Sequence, residues 1–439
     1  MMTLQQSFIT WREQWQTLLD QLQQRGVDTA ATFAPVADLQ QVEQVEQQLD
    51  ITLPTELREL LLTGASEVSV IWYVPSEQMV PFGLTGDVGW SLEALDFVEM
   101  WSEDAESPEQ RRYLTFYHAG NGDRLVLDLS DVERPAVLSW DHETGEFRLL
   151  AGSLTAFLER ITALYGIGAE HWQYEHFIDH GGLNIHHPQA QRWQQWMHDY
   201  VHLTLEQART QLDVLIRYAE MHDSDDAALQ QAFAAFSEQD VLTAWLNRIE
   251  QERDVHLRHS LMECAASICR SAAADWVREL WNAPSDQRIN SAVLAYVTAC
   301  CLPEQEGLQR VYAALEQLQQ SNRLNGYGAN SWLKPFYSRE VLQWMWQGKR
   351  VSYPYDGWDR LFACSAPEAE DIWQWLGGST VQRQVVISAL STAEDVQAIF
   401  PEQDQLRHTL ALLEGELDKA VTKKEKNLVN SAIQALSKQ

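Results

Sequence analysis

The sequence predicts two kinds of fold in one chain: an α+β domain in residues 1–170 and an all-α, helical-repeat-like domain in residues 189–439, joined by a histidine-rich connector at 171–188. Alternating apolar residues, typical of β-strands, occur before Leu183. Beyond it, apolar residues recur at helical spacing, with proline or glycine between segments. A chain of 439 residues also exceeds what one hydrophobic core usually serves, so at least two domains are expected.

The elements of the first domain follow in order. Two amphipathic helices open the chain, and "LPTELRELLLTG" (53–64) predicts a third, with proline at its entry and glycine at its exit. A strand is predicted at "VSVIWYV" (68–74) and a serine-capped helix at "SLEALDFVEMWSE" (91–103). The segments "YLTFYH", "RLVLDL", "AVLSW" and "EFRLL" predict a meander of strands, which "GSLTAFLERITALYG" (152–166) closes as a helix.

The segment "HAGNGDRLVLDL" (118–129) contains an Asn-Gly pair followed by leucine at every second position. Asn121 and Gly122 both tolerate positive φ, so the pair favours a tight hairpin turn. On its residues alone the segment has no more specificity than any other Asn-Gly turn. We therefore interpret it as a corner of the fold and not as an active site.

The order of these elements resembles the SUKH superfamily, which holds bacterial immunity proteins and fungal cell-wall regulators. The resemblance covers about residues 36–170 and is strongest from Gly120 to Leu158. One loop departs from the family pattern: "TGASE" (63–67) stands where relatives usually have an Asn-Gly-Gly turn. Any ligand contact made by that loop in relatives is therefore not carried over to this chain.

The family has two signature segments, the Gly-Asp turn and the Trp-x-His segment. Both are mainly features of its fold. The resemblance therefore implies an architectural role for the matching residues here: Gly122, Asp123, Trp140 and His142.

The second half of the chain is predicted to be a series of helical hairpins. "EVLQWMWQG" (340–348) and "EDIWQWLGG" (370–378) share a Trp-x-Trp core about 30 residues apart. This spacing favours a degenerate repeat of the HEAT or armadillo kind. A non-repeating α-helical domain is the alternative.

The net charge of −31 is concentrated at the front of the chain. Residues 1–180 hold 9 Lys+Arg against 30 Asp+Glu, and the run from Glu59 to Gln110 holds 11 carboxylates with no lysine or arginine. Such a field excludes nucleic acid as a partner and favours a basic protein. A solvated acidic surface without a partner is the alternative.

The predicted helix at 91–103 places carboxylates on one face and apolar side chains on the other, at 100° per residue. No lysine or arginine four residues away compensates these acids. The partner-binding residues predicted on this acidic stripe and its continuation are Glu93, Asp96, Glu99, Glu103, Asp104 and Glu106. A solvated helix face is again the alternative.

Neither catalysis nor a cofactor is predicted. The chain has no G-x-S-x-G, no phosphate loop and no CxxC pair, and its five cysteines are expected to be thiols. His176 and His180 have the spacing of two metal ligands on one helix face, with His186 or His187 as a third. We favour a histidine-rich connector over a metal site, and a hydrolase remains only if metal binds there.

These observations and the resemblance together imply a non-catalytic immunity protein that neutralises a cognate toxin domain, for which a nuclease with a basic cleft is a fitting target. A regulatory scaffold that binds endogenous partners is the alternative. The sequence has no secretory signal and no apolar run that could span a bilayer, so we expect a cytoplasmic protein that does not bind membranes.

Overall fold

The computed structural model describes residues 3–75, 79–98, 112–283, 289–347, 351, 357–393 and 396–438. They separate into two compact units, Met1–Ala232 and Phe233–Gln439. The first contains helices and sheets, and the second is built of helices. The predicted combination of an α+β region with a helical region is therefore confirmed. Among the described residues, none of the helices is both long and apolar enough to cross a membrane.

The helices of the first 233 residues begin at side-chain caps in several cases. Thr3, Asp38 and Ser153 each accept a hydrogen bond from a backbone N–H in the first turn of the helix that follows. The helices are α1 (Leu4–Gln24), α2 (Leu39–Leu49), α3 (Thr55–Thr63), α4 (Leu154–Ala163), α5 (Pro188–His202), α6 (Leu205–Ala208), α7 (Leu212–Ala219) and α8 (Ala227–Phe233).

The strands form two larger antiparallel sheets and a small hairpin. The three-stranded sheet has the order β1 (Asp28–Phe33), β2 (Glu67–Tyr73), β3 (Gly86–Ser91). The five-stranded sheet has the order β4 (Asp96–Phe97), β5 (Tyr113–His118), β6 (Arg124–Asp128), β7 (Ala136–Trp140), β8 (Phe147–Ala151). The hairpin is β9 (Ile178–Asp179) with β10 (Gly182–Leu183). The predicted meander is confirmed by β5 to β8.

The helix predicted over residues 91–103 is wrong where the structure describes this segment. Ser91 ends β3, opposite Glu67 of β2, and a turn leads to β4, which pairs with β5. Leu92, Leu95 and Val98 are all buried. A turn followed by a short strand therefore buries the same residues that a helix would have buried. The pairing of β4 with β5 favours the strand over the helix. Residues 99–103 lie outside the described residues.

The core of the first unit is formed by α1, α4 and buried residues of both larger sheets. The ring of Trp90 contacts Phe8 and Trp15 at centroid distances of 5.7 and 6.4 Å. Trp15 also donates a hydrogen bond from its indole to the Thr162 hydroxyl on α4. Along β2, Val68, Val70 and Trp72 point into this core, and the residues between them lie on the opposite face.

Helix α5 packs into the same core. Trp193 is fully buried, stacks on Trp72 at 6.1 Å and donates its indole N–H to the carbonyl of Leu164. Arg25 donates to the carbonyls of Val201 and Leu203. The sequence placed the domain boundary at 170 and residues 189 onward in the helical domain, whereas the first compact unit extends to Ala232.

The second unit is a ladder of helices. Helix α10 contacts α12, α12 contacts α14, α14 contacts α16, and α16 contacts α18. The intervening helices pack beside this row, as α11 and α13 do against α12. Each helix pair thus contacts its neighbours along the chain, the arrangement of an α-solenoid.

The helices of the ladder are α9 (Glu238–Gln251), α10 (Val255–Cys269), α11 (Ala274–Asn282), α12 (Ser291–Cys301), α13 (Glu304–Gln320), α14 (Gly326–Leu333), α15 (Arg339–Gln347), α16 (Trp358–Cys364), α17 (Ala369–Leu376), α18 (Thr380–Ser391), α19 (Val396–Ile399), α20 (Gln403–Lys419) and α21 (Lys423–Ser437). The two Trp-x-Trp segments lie on α15 and α17, where Trp346 and Trp375 are in contact at 5.9 Å.

Candidate partner-binding surface

Two of the six residues predicted to bind a partner lie within the described chain. Glu93 lies exposed in the turn after β3, and Asp96 lies on β4. Glu99, Glu103, Asp104 and Glu106 lie outside the described residues. The structure does not place Glu93 and Asp96 on a common helix face, because the backbone here forms a turn and a strand.

Asp96 is compensated by a cation from a neighbouring strand. The guanidinium of Arg124 on β6 lies 3.1 Å from its carboxylate, and the His118 ring lies 3.5 Å away. On a helix, a compensating cation would come from four residues away, whereas the sheet supplies one from a residue 28 positions away. Asp96 therefore contributes less uncompensated charge to the surface than the sequence predicted.

The outer face of the three-stranded sheet is the surface turned away from α1. Its residues alternate with the core residues of the three strands: Asp28, Ala30, Thr32, Glu67, Ser69, Ile71, Tyr73, Asp87, Gly89 and Ser91. Ile71 and Tyr73 are 42% and 54% exposed. In the sheet, Ile71 lies between Ala30 and Asp87, and Tyr73 lies opposite Asp28.

Exposed carboxylates border the outer face. Asp28 begins β1 at one end of the sheet, Glu67 begins β2 at the other, and Glu93 follows β3 two residues after Ser91. Among the described residues, no arginine or lysine forms an ion pair with Asp28, Glu67 or Glu93. An apolar patch with a negative rim fits a partner that presents cations around an apolar centre.

One corner of the outer face is closed by a polar pair. Tyr117 of β5 crosses above Gly89, where a Cβ atom would come within 2.3 Å of its ring, and its hydroxyl donates a hydrogen bond to the Asp87 carboxylate. Burial raises the pKa of Asp87 to about 6, although the Tyr117 hydrogen bond opposes this shift. Burial and the nearby Asp87 carboxylate raise the pKa of Tyr117. Neither Asp87 nor Tyr117 is among the residues predicted from the sequence to bind a partner.

The Asn-Gly corner is organised by a buried carboxylate, that of Asp123. It accepts hydrogen bonds from the side-chain amide of Asn121, from the backbone and ring of His142, and from the backbone of His171. Burial alone would raise the pKa of Asp123, but these hydrogen bonds outweigh it and lower the pKa. Gly122 has φ +102°, which favours glycine.

A metal ion is not needed to explain this corner. Within the described chain, the ligand atoms of Asp123, Asp141 and His142 lie within 4.8 Å of one another. The Asp123 oxygens already accept several hydrogen bonds, and Asp141 accepts from the backbone of Glu143 and Thr144. The arrangement therefore connects the β7–β8 turn to the Asn-Gly turn, in agreement with the architectural interpretation.

The histidines at 171–187 do not share a helix face. His176 lies in a 3-10 helix and contacts the ring of Phe82, whereas His180 lies in the turn between β9 and β10. His171 is buried and hydrogen-bonds to Ser139, and His187 accepts a hydrogen bond from the backbone of Gln189 at the start of α5. The geometry on which the candidate metal pair depended is therefore absent from the described segment.

The first unit is thus an α+β domain in which the Asn-Gly corner serves the fold and the outer face presents acidic and apolar side chains. Residues 36–160 match the model of the SMI1 / KNR4 family (SUKH-1), so this region is similar to the domains of that family. The match confirms the resemblance predicted for about residues 36–170 and covers somewhat more than a quarter of the chain. No curated protein and no solved structure matches the chain.

Proposed function

We propose that the protein is a non-catalytic immunity protein that binds a basic toxin domain through the acidic surface of its first unit. The SUKH family is associated with immunity proteins. The observation that supports the proposal most is the run from Glu59 to Gln110, with 11 carboxylates and no lysine or arginine. Glu67 and Glu93, which belong to this run, border the outer face.

The physical basis is charge attraction followed by apolar burial. A surface of one sign steers an oppositely charged partner and raises the association rate by about 10- to 1000-fold at low salt. Ile71 and Tyr73 supply the apolar contact that retains the partner after encounter. A nuclease fits this description because its phosphate-binding cleft is basic, and an acidic protein seated on that cleft excludes the substrate.

The proposal places the complex in the cytoplasm. All five cysteines are thiols, as a reducing compartment keeps them. An immunity protein acts where its toxin would otherwise act, which for a nuclease is the compartment that contains nucleic acid.

A regulatory scaffold is the second candidate, and the helix ladder of the second unit favours it. Stacked helical repeats create extended surfaces that often bind other proteins. The two candidates differ in genetic context, because a toxin gene directly beside this one favours immunity and a solitary gene favours a scaffold.

Growth protection tests the proposal. A toxin domain whose gene lies directly beside this one, where there is such a gene, is co-expressed with the intact chain, with Glu67→Lys/Glu93→Lys, or with the matched control Glu414→Lys/Asp418→Lys, whose acids are exposed on α20. We expect protection by the intact chain and the control, and reduced protection by the surface variant. No protection by the intact chain, or equal protection by both variants, would overturn the proposal.

A further inference from the structure

The edge strands of the two larger sheets in the first unit differ in how they are protected against pairing with another strand. Beyond β3, the N–H of Asp87 donates to the carbonyl of Gly166 and the N–H of Gly168 donates to the carbonyl of Thr85. Gly86 also forms a β-bridge with Ile167. The segment 166–168 therefore covers the edge of β3 at the start of the strand.

The edges of the five-stranded sheet are also protected. Strand β10 lies against β8, and Gly182 approaches so closely that a Cβ atom would come within 2.3 Å of the Leu150 carbonyl oxygen. The Arg160 guanidinium donates to the same carbonyl. At the opposite edge, β4 is only two residues long, which is itself a common protection.

Strand β1 has neither kind of protection. It is the terminal strand of its sheet and pairs with β2 over six residues without a register shift. Its sequence, "DTAATF", contains no lysine and no proline, and Ala30, Ala31 and Thr32 are exposed in succession. A regular and exposed edge strand of small residues is a template for another strand.

The backbone groups available at this edge follow from the pairing with β2. The N–H of Ala34 donates to the carbonyl of Glu67, and hydrogen-bonded pairs alternate along an antiparallel ladder. The N–H and C=O groups of Thr29, Ala31 and Phe33 therefore point away from β2. Among the described residues, no hydrogen bond reaches these groups from elsewhere in the chain.

Charge indicates what kind of strand would bind. The first unit holds 12 Lys+Arg against 37 Asp+Glu, so a second copy of this chain would bring like charge to the edge. The exposed carboxylates of Asp28 and Glu67 lie on the outer face near the two ends of the edge, about 20 Å apart at the rise of a strand. Arg12 lies over Phe33 and faces the other side.

We propose that the edge of β1 is a strand-docking site for an extended segment of the basic partner, with a lysine or arginine near each end of that segment. Backbone hydrogen bonds to Thr29, Ala31 and Phe33 supply affinity, and Asp28 and Glu67 select cations. The proposal rests on the proposed function, because that function supplies a basic partner.

The first test uses the intact chain and a synthetic peptide, Lys-Val-Thr-Val-Thr-Val-Lys, whose lysines fall six residues apart on one face. We expect amide hydrogen exchange of Thr29, Ala31 and Phe33 to slow about tenfold at saturation. A peptide with proline at its centre should have no effect, and one with glutamate for both lysines should bind about tenfold more weakly. Unchanged exchange with about 1 mM peptide would overturn the proposal.

The second test compares Ala31→Pro with its matched control Ala31→Val. The Ala31 N–H points away from β2, so proline removes an edge donor without removing a bond of the native ladder. We expect Ala31→Pro to weaken peptide binding about tenfold and Ala31→Val to bind within about twofold of the intact chain. If Ala31→Pro does not melt cooperatively, the exchange measurement on the intact chain decides whether the edge of β1 binds the peptide.

These tests separate failure of the docking site from failure of the proposed function. A basic partner whose binding is lost in Glu67→Lys/Glu93→Lys but unchanged in Ala31→Pro would overturn strand docking alone. If the peptide slows amide exchange at the edge but the chain does not protect cells against the neighbouring toxin, the docking site stands and the proposed function is overturned. Dimerisation with protected edge amides in the absence of peptide would overturn the choice of occupant.

Discussion

The two units treat their acidic residues differently. The second unit holds 20 Lys+Arg against 26 Asp+Glu, close to balance, and contains every lysine of the chain. Two of its acids each lie between two cations: Glu306 lies between Arg278 and Arg310, and Glu416 lies between Arg383 and Lys419. The first unit holds about three acids for each base, and the acids that border its outer face have no such partners among the described residues.

This difference helps to distinguish a solvated surface from a binding surface. Acids that are matched by nearby cations account for a polar helix surface without any partner. Unmatched acids repel one another, and a cationic partner relieves that repulsion. The proposal of a basic partner therefore depends most on the excess charge of the first unit.

The largest effect is expected from Trp193→Ala, which tests where the first unit ends. The indole is buried, stacked on Trp72 and hydrogen-bonded to Leu164, so its loss should lower the free energy of unfolding by about 3–5 kcal/mol. The matched control is Trp172→Ala, since that indole is 40% exposed and should cost about 1 kcal/mol or less. Thermal unfolding measures both. Equal losses would show that α5 is not part of the core of the first unit.

Two fragments of the chain also test where the first unit ends. Residues 1–232 contain Trp193, whereas residues 1–170 expose the surface of Trp72 against which it stacks. We expect 1–232 to melt cooperatively at a higher temperature than 1–170. The same melting temperature for both fragments would favour the boundary predicted from the sequence.

The next effect is expected from Asp123→Ala at the Asn-Gly corner. Removing this carboxylate leaves the backbone N–H groups of His142 and His171 without their acceptor, at a cost of about 3 kcal/mol. The pKa of Asp123 is lowered in the folded state, so its contribution is present near neutral pH and is lost as the pH falls below the ordinary value of 3.8. Urea unfolding checks both statements. The control is Asp131→Ala, an exposed turn residue expected to cost under about 1 kcal/mol.

A smaller, pH-dependent effect is expected from Asp87→Asn. The folded-state pKa is about 6 against an ordinary value of 3.8, so between these values the folded protein holds a proton that the unfolded chain releases. The stability of the intact protein should therefore fall as the pH rises through this range, by about 1–3 kcal/mol, whereas that of Asp87→Asn should not. The measurement is the difference in melting temperature between variant and intact protein at about pH 4 and about pH 7. A difference independent of pH would contradict the raised pKa.

Most of the fold could be predicted from local sequence patterns. The Asn-Gly turn and the alternating leucines after it define β6, and the serine before "LTAFLERITA" defines the start of α4. Each of these signals involves residues that are close in sequence, and the contacts that it predicts form between those same residues. The helix ladder could be predicted for the same reason, because each helix packs on its neighbours along the chain.

The errors arose where distant residues decide the structure. Leu92, Leu95 and Val98 have helical spacing. The pairing of β4 with β5, which lies further along the chain, makes part of this segment a strand, and no local pattern predicts that pairing. The edge strand β1 was missed because "DTAATF" has little hydrophobic alternation, and only pairing with β2 makes it a strand. The cation that compensates Asp96 was missed because Arg124 comes from another strand.

The most direct test of the account is the association rate of the intact chain with the proposed basic partner at low and high ionic strength. Glu67→Lys/Glu93→Lys should slow association about tenfold or more at low salt and change stability by about 1 kcal/mol or less. The control Glu414→Lys/Asp418→Lys in the second unit should leave the rate within about twofold, because the steering field belongs to the first unit. Equal slowing by both pairs, or no slowing by the first pair, would contradict the claim that the unmatched acids of the first unit guide the partner.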